Sequence, residues 1–97
     1  MLTGKQKRFL RSRAHNLDPI FQVGKGGVNE NMIKQIADAL EARELFKVSI
    51  LQNCEVEKTD VAESLAKGTG AEIVQIIGNI IVLYKESVQK KTINLPS

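Results

Sequence analysis

The sequence predicts an α/β domain, a two-layer fold of three helices and a four-stranded mixed sheet in the order α-β-α-β-α-β-β. Segments with helical periodicity alternate with short β-branched runs, which is typical of parallel strands joined by crossover helices. The segment from Leu45 to Leu51 alternates apolar and polar side chains, as a strand with one buried face does. Two isoleucine-rich runs near the end flank Gly78-Asn79, which predicts an antiparallel hairpin.

The first helix is predicted from Lys5 to about Asn16. Thr3 and Gln6 have the spacing of a capping box, and neither Pro nor Gly interrupts the segment. At 100° per residue the apolar side chains share one arc: Leu2, Phe9, Leu10, Ala14 and Leu17. The opposite arc carries four cations: Lys5, Lys7, Arg8 and Arg11.

A strand, a glycine loop and a second helix follow. Asp18-Pro19 ends the first helix, and Ile20 to Val23 forms a short strand. The strand leads into Gly24-Lys25-Gly26-Gly27, after which Asn29 caps a helix that runs to about Glu44.

The remaining elements complete the sheet. After the alternating strand, a third helix is expected to begin at Thr59 or Asp60 and to stop at Gly68 and Gly70. The last two strands are Ile73 to Ile77 and Ile80 to Tyr84, joined by a type II′ turn.

The connections also predict how the layers are arranged. Right-handed crossovers that step the same way place their helices on one face of the sheet. Four polar strand residues fit a second face that is exposed to solvent: Gln22, Lys47, Ser49 and Gln75. We expect one domain over residues 1–97, with residues 86–97 fraying.

Composition excludes several classes of function. No apolar run approaches the roughly 18 residues that cross a bilayer, and no signal peptide is recognisable, so we expect a cytoplasmic protein without membrane contact. Cys54 is the one cysteine and His15 the one histidine, so neither a disulfide nor a zinc site is expected. No nucleophile, base and orienting group can be assembled, which predicts a non-catalytic protein without a cofactor.

Charge is segregated along the chain. Residues 1–27 contain six basic residues and one acidic residue, whereas residues 28–84 contain five basic and nine acidic residues. Residues 85–97 again have an excess of positive charge, with three basic residues and one acidic residue. Segregation of this kind gives one part of a surface a positive field that attracts a polyanion.

The glycine loop can bind phosphate. Gly24, Gly26 and Gly27 allow a close approach to the main chain, Lys25 adds a charge, and the loop precedes a helix N-terminus. The loop is not a Walker A box, because no Ser or Thr follows the lysine, and it lacks the third glycine of a dinucleotide fingerprint. Its Gly-x-x-Gly form matches the backbone clamp of KH modules. The alternative is a tight turn that leads into a helix.

The cations of the first helix have two interpretations. They can form an ordinary solvated face, which is the usual role of charged runs. However, no acidic residue occurs before Asp18, so the i,i+4 ion pairs of such a face are absent and the cations repel one another. An external anion such as RNA relieves that repulsion.

Aromatic residues bear on the kind of RNA that would be bound. They form 4% of the chain, which disfavours stacking of several bases on the sheet and favours backbone contact with structured or double-stranded RNA. Tyr84 beside Lys85 could stack one base next to a cation. The alternative is that Tyr84 belongs to the edge of the core.

The chain resembles the stand-alone bacterial CRM domain of the YhbY family (chloroplast RNA splicing and ribosome maturation), over about Leu2 to Lys85. The resemblance is carried by Leu-Thr-Gly-Lys-Gln-Lys-Arg-Phe-Leu-Arg at the start, Val-Gly-Lys-Gly-Gly at 23–27, Lys47-Val48, Gly-Thr-Gly at 68–70 and Leu-Tyr-Lys at 83–85. Many members have Tyr-Arg-Gly in the last strand, whereas Lys85-Glu86 stand here. Lysine lacks the planar guanidinium of that arginine, so the resemblance carries no bidentate contact onto this position.

The resemblance implies a fold similar to the C-terminal domain of translation initiation factor three. It also implies association with precursors of the large ribosomal subunit, through ribosomal RNA. Carried onto this chain, the implied RNA-binding residues are Lys5, Lys7, Arg8, Arg11, Gly24, Lys25, Gly26 and Gly27, to which the sequence adds Lys85. We expect a monomer; the alternative function is a protein-interaction domain whose basic patch binds an acidic partner.

Overall fold

The computed structural model describes all 97 residues and confirms the predicted α/β class and element order. The three helices and four strands are α1 (Gly4–Ala14), β1 (Pro19–Val23), α2 (Glu30–Arg43), β2 (Leu45–Ile50), α3 (Lys58–Thr69), β3 (Glu72–Ile77) and β4 (Ile80–Tyr84). None of the helices is long and apolar enough to cross a bilayer.

The four strands form one mixed sheet in the order β1-β2-β4-β3. β1 pairs with β2 in parallel, and β4 is antiparallel to both β2 and β3. The β3–β4 hairpin has the predicted two-residue turn, in which Gly78 has a φ of 56° and Asn79 does not have a positive φ, as a type II′ turn requires. Because β1 is parallel to β2 and β4 is antiparallel to it, the end of β1 and the start of β4 lie at the same end of the sheet, and so do the glycine loop and this hairpin.

The first face of the sheet, defined by Phe46, Val48, Ile81 and Leu83, is covered by α2 and α3. Twelve buried residues form its core, and the helices contribute Ile36, Leu40, Val61, Ala62 and Leu65 to it. The predicted placement of both crossover helices on one face is therefore correct.

The predicted ends of α3 are wrong at two positions. The helix begins at Lys58 after Glu57, which makes no side-chain cap, so neither Thr59 nor Asp60 caps it. Gly68 lies inside the helix, and Gly70, with a φ of 79°, ends it. A Cβ on Gly68 would lie 2.6 Å from Cδ1 of Ile33, so this glycine lets α2 and α3 pack closely rather than stopping the helix.

The second face, defined by Leu45, Val82 and Tyr84, is only half exposed, which corrects the expectation of a bare polar layer. Helix α1 packs against β2, β3 and β4 and buries Leu10 and Ala14 there. The physical reason is that the apolar stripe of α1 needs a partner, and this half of the face is apolar. The β1–β2 side of this face remains accessible; we call it the polar half (Gln22, Lys47 and Ser49), whereas Gln75 lies on the β3 edge beside buried Val82.

Residues 86–97 pack on the protein instead of fraying. The carboxylate of Glu44 accepts hydrogen bonds from the backbone N–H groups of Ser87 (2.9 Å), Thr92 (2.7 Å) and Ile93 (2.9 Å) and from the Thr92 hydroxyl (3.0 Å). Glu41 accepts three more, from the Ser87 hydroxyl and from the N–H groups of Val88 and Gln89. Ile93 is thereby buried beside Leu10 on the second face.

Candidate nucleic-acid interface

The glycine loop is a tight turn at the end of β1. The Gly27 N–H donates to the Gly24 carbonyl over 3.0 Å, which leaves Lys25 and Gly26 exposed at the tip. The backbone N–H groups of Lys25 and Gly26 donate to no acceptor in the protein, and the Lys25 ammonium makes no ion pair. The tip therefore presents two N–H donors and a cation to solvent, which is the chemistry of an anion site.

The glycines of the loop serve different purposes. Gly27 has a φ of 70°, and a Cβ on it would lie 3.0 Å from Cγ2 of Val56, so the fold itself requires glycine there. Gly26 has no positive φ, and a Cβ on it would meet nothing within 4 Å. Neither packing nor backbone geometry explains why position 26 lacks a side chain, whereas the close approach of a ligand would.

The second helix contributes less to this loop than the sequence indicated. Val28 and Asn29 separate the loop from α2, and the Asn29 side chain already accepts from the Met32 N–H over 2.8 Å. Glu30, in the first turn, places a negative charge at the same helix end. The anion-binding chemistry therefore belongs to the loop tip more than to the helix dipole.

The first helix is anchored as predicted. The Thr3 hydroxyl accepts from the Gln6 N–H over 3.1 Å, and the Gln6 side chain accepts from the Thr3 N–H over 3.0 Å. This capping box sets where the helix begins, and hence which residues point outward.

The four predicted cations of α1 differ in exposure. Lys5 and Arg8 are exposed, whereas Lys7 and Arg11 are half-buried. None of them forms a salt bridge, and Lys5 donates only a long hydrogen bond of 3.4 Å to the Ser97 carbonyl. The positive charge on this helix is uncompensated within the protein.

Helix geometry directs Lys7 and Arg11 toward the polar half of the second face. Leu10 points into the sheet, and Gln6, on one side of it, donates to the Pro96 carbonyl over 3.0 Å. Lys7 and Arg11 lie on the other side of Leu10 by the 100° rotation per residue. That side faces away from the chain terminus and toward Lys47, whose ammonium is 3.4 Å from the His15 carbonyl.

The loop begins at the end of β1, the strand that carries Gln22 of the polar half. Val23, the last residue of β1, pairs with Ile50, three residues beyond Lys47 along β2. At about 3.3 Å per residue, the loop begins roughly 10 Å from Lys47. We use the name basic surface for the combination of the loop tip, the α1 cations and the polar half.

Lys85 is not part of the basic surface. It follows β4, whose end pairs with the start of β2, so it lies at the opposite end of the sheet from the loop. Its ammonium donates to the Thr69 carbonyl over 3.0 Å, at the C-terminus of α3. This position favours a structural role for Lys85, because a cation stabilises a helix C-terminus.

Tyr84 cannot stack a base. Its side chain is only 3% exposed and belongs to the core between the second face and α1. Burial raises the pKa of its phenol, and the charges of Glu44 and Glu86 raise it further. The base-stacking interpretation of Tyr84 is therefore wrong, and the core interpretation is correct.

The charge segregation seen in the sequence becomes a difference between the two layers. Acidic residues concentrate in and around α2 and α3, for example Asp38, Glu57, Asp60 and Glu63, whereas α1 contains none. A polyanion is therefore attracted to the α1 side and repelled from the side of α2 and α3.

No group of three His, Cys, Asp or Glu side chains that could hold a metal ion occurs in the structure.

Comparison with known proteins identifies the family. The family model described as the CRS1/YhbY (CRM) domain matches residues 2–85. The chain belongs to the CRS1/YhbY (CRM) domain family. The prediction made from the sequence motifs is thereby confirmed, and the match spans all seven helices and strands and every residue of the basic surface.

Relatives of this chain carry names that refer to RNA binding. The probable RNA-binding protein YqeI of Bacillus subtilis is 75% identical over 96 residues, covering 99% of this chain and 100% of the relative. An RNA-binding protein of Haemophilus influenzae is 38% identical, covering 98% of this chain and 95% of the relative. A Staphylococcus aureus protein, described with its solution structure as a candidate RNA-binding protein, is 64% identical and superposes with a TM-score of 0.82, covering 99% of this chain and 100% of that one.

Proposed function

We propose that this CRM domain binds structured RNA as a non-catalytic module, with the basic surface contacting the sugar-phosphate backbone. The observation that carries the proposal is Gly26, whose backbone is left bare at the loop tip although neither φ nor packing requires glycine. A phosphate oxygen can reach the Lys25 and Gly26 N–H groups there, with the Lys25 ammonium beside it. The RNA-binding names of several relatives support the choice of RNA as the polyanion.

The α1 cations supply the second part of the contact. Arg8 is exposed without a carboxylate partner, and Lys7 and Arg11 flank the polar half, which includes part of β1, the strand before the loop. Contacts at both places would engage phosphates several nucleotides apart, or on two strands of a helix. Such an arrangement reads the shape of RNA more than its base sequence.

The test of this binding mode uses the loop tip. Lys25→Ala, Lys25→Glu and Gly26→Asp are compared with wild type in thermal melting and in RNA affinity. All three side chains project into open space, so we expect native melting and a loss of affinity that increases from Ala to Glu. Gly26→Asp should bind as weakly as Lys25→Glu, because its carboxylate occupies the phosphate position.

A control separates this local effect from net charge. Lys34→Ala removes one positive charge from an exposed position of α2 that is not part of the basic surface. It should leave RNA affinity close to that of wild type. If the three loop variants bind RNA as tightly as Lys34→Ala does, the loop is only a turn and the proposal fails.

We propose further that the bound RNA is ribosomal RNA in precursors of the large ribosomal subunit, as the CRM family resemblance implies, and that the protein acts there in the cytoplasm. The test is cosedimentation with ribosomal particles before and after digestion with ribonuclease. Release by the nuclease is expected. Retention on digested particles would instead favour an acidic protein partner for the basic surface.

A further inference from the structure

A cavity of about 340 Å³ lies at the end of α1, outside the basic surface described above. It opens between the last turn of α1, the start of β1 and the end of α2. Arg13 and Arg43 line it from two different helices, and buried Ile93 also lines it. Its volume is at the lower end of the range for small-molecule sites, which suits a ligand of one nucleotide.

Both arginines are available to a ligand. Neither forms a salt bridge with any carboxylate of the protein, although Asp18 also lines the cavity. The Arg13 guanidinium lies 5.7 Å from the centre of the Phe9 ring, which is a cation–π contact within α1. Two guanidinium groups without a carboxylate partner at one concave site attract an anion, and each can also stack on a flat ring.

The walls of the cavity are apolar and accessible. Leu17 and Ile20 are 39% and 40% exposed, which makes them two of the few large apolar side chains at the surface. Exposed aliphatic groups beside free arginines match a ligand that has a flat apolar face and a negative charge. An unpaired nucleotide has both, whereas a paired one hides its base face in the stack.

From this combination we infer that the cavity binds one unpaired nucleotide, displaced from a structured RNA that the basic surface holds. The base lies against Leu17 and Ile20, and the flanking phosphates pair with Arg13 and Arg43. The Asp18 carboxylate at the rim can accept from an exocyclic amino group, as carboxylates do from cytosine. This inference rests on the proposed function and adds a preference for RNA with a bulge.

The position of the cavity is consistent with one continuous RNA contact. Arg13 belongs to the last turn of α1, as does Arg11 of the basic surface. Arg11 and Arg13 point to opposite sides of the helix, about 160° apart, so an RNA backbone that contacts both crosses the exposed side of α1, where Arg8 lies. Sequence reasoning missed this site, because Arg43 is 30 residues from Arg13 along the chain and no motif links them.

The test compares two hairpin RNAs that differ only in one bulged 2-aminopurine nucleotide. Wild type should bind the bulged hairpin about tenfold more tightly, the difference expected from one or two charge-assisted contacts. The fluorescence of 2-aminopurine should change on binding, because the base leaves solvent. Equal affinity of wild type for the two hairpins would overturn the inference.

Two variants and a control locate the effect. Arg43→Ala and Ile20→Ser should remove the preference for the bulge and leave binding of the paired hairpin within about twofold, because both residues line the cavity and neither belongs to the basic surface. Ile20→Ser adds no charge beside Lys47. Lys34→Ala removes a charge from the same helix as Arg43 and should keep the full preference. A preference that survives in both cavity variants overturns the inference.

The loop variant Lys25→Ala distinguishes the cavity from the proposed function. It should lower the affinity for both hairpin RNAs by the same factor, so that the ratio of the two affinities stays as in wild type. If Lys25→Ala does not change RNA affinity while the cavity variants abolish the preference, the nucleotide site in the cavity is supported. Phosphate binding by the loop tip is then contradicted. If wild type binds neither hairpin, both proposals fail.

Discussion

The two faces of the sheet are stabilised in different ways. On the first face, α2 and α3 close over a core of twelve buried residues, and the stabilisation comes from apolar area removed from water. On the second face, α1 and the chain terminus pack into a smaller core of seven buried residues. Hydrogen bonds to the carboxylates of Glu41 and Glu44 attach the terminus. The first face therefore buries the larger core, while part of the second face is not covered by α1 or the chain terminus.

The largest expected effect is on the first face. Leu65 is fully buried there, and Leu65→Ala should lower the free energy of unfolding by about 2–5 kcal/mol, because it leaves a cavity in a closed core. Ile93→Ala on the second face should lower the free energy of unfolding by less, because the chain terminus can move to fill the cavity that the substitution leaves. Chemical denaturation of the two variants measures the contrast, and equal losses would mean that the second face is as closely packed as the first.

Glu44→Gln tests the hydrogen-bonded attachment of residues 87–93. An amide cannot accept all four hydrogen bonds and turns an N–H₂ group toward donors, so we expect a loss of about 1–3 kcal/mol in unfolding free energy. Protection of the Ile93 amide from hydrogen exchange should fall at the same time. Unchanged exchange at Ile93 would contradict the role assigned to Glu44.

Stability should depend on pH through the same carboxylates. Burial raises the pKa of Glu44, but hydrogen bonds from the Ser87, Thr92 and Ile93 N–H groups outweigh it, and the pKa lies below 4.5. Hydrogen bonds from Val88, Gln89 and Ser87 likewise lower the pKa of Glu41. Both folded values lie below the unfolded ones, so this stabilisation is complete above the unfolded pKa and is lost as pH falls through the folded pKa.

The experiment for this pH dependence is unfolding between pH 7 and pH 3. Wild type should lose stability below about pH 4.5, near the ordinary glutamate pKa, and Glu44→Gln should lose less over the same range. Leu65→Ala, which removes no titrating group, should keep the wild-type slope. Parallel curves for wild type and Glu44→Gln would show that Glu44 does not contribute.

A pair of loop variants separates folding from binding. Gly27→Ala should lower the free energy of unfolding by about 1–2 kcal/mol, because the new side chain has a positive φ and makes a close contact with Val56. Gly26→Ala should melt as wild type does or slightly higher, since its Cβ meets nothing and the unfolded chain loses freedom. Thermal melting checks both, and a strong destabilisation by Gly26→Ala would remove the reason for assigning Gly26 to a ligand.

The smallest effect on stability is expected on α1. Arg8→Glu reverses an exposed, unpaired charge, so unfolding free energy should change by less than about 0.5 kcal/mol while RNA affinity falls. Lys7→Gln and Arg11→Gln remove half-buried charges without reversing them and should also lower RNA affinity.

The salt dependence of RNA binding measures the number of phosphate contacts. With about four to six phosphates bound, the logarithm of wild-type affinity should fall against the logarithm of salt concentration with a slope of about −3 to −5. A flat salt response would contradict backbone binding.

Local sequence patterns determined most of the elements of this protein. The Thr3–Gln6 capping box, the Asn29 cap, the alternation in β2 and the Gly78-Asn79 turn all have the structure that they predicted. Each depends on residues a few positions apart, so the interaction that forms the element is visible in the sequence itself. The glycine loop and the α1 cations of the candidate site were also identifiable, because loop chemistry and unbalanced charge are local properties.

Only the tertiary structure decided how those elements combine. It put α1 on the second face, separated Lys85 from the loop, made Gly68 a point of helix contact and joined Glu44 to residues 43 to 49 positions later in the chain. It also brought Arg13 and Arg43 to one cavity. Contacts over such separations depend on which faces meet after the sheet has formed, and no periodicity or spacing within a short segment encodes that choice.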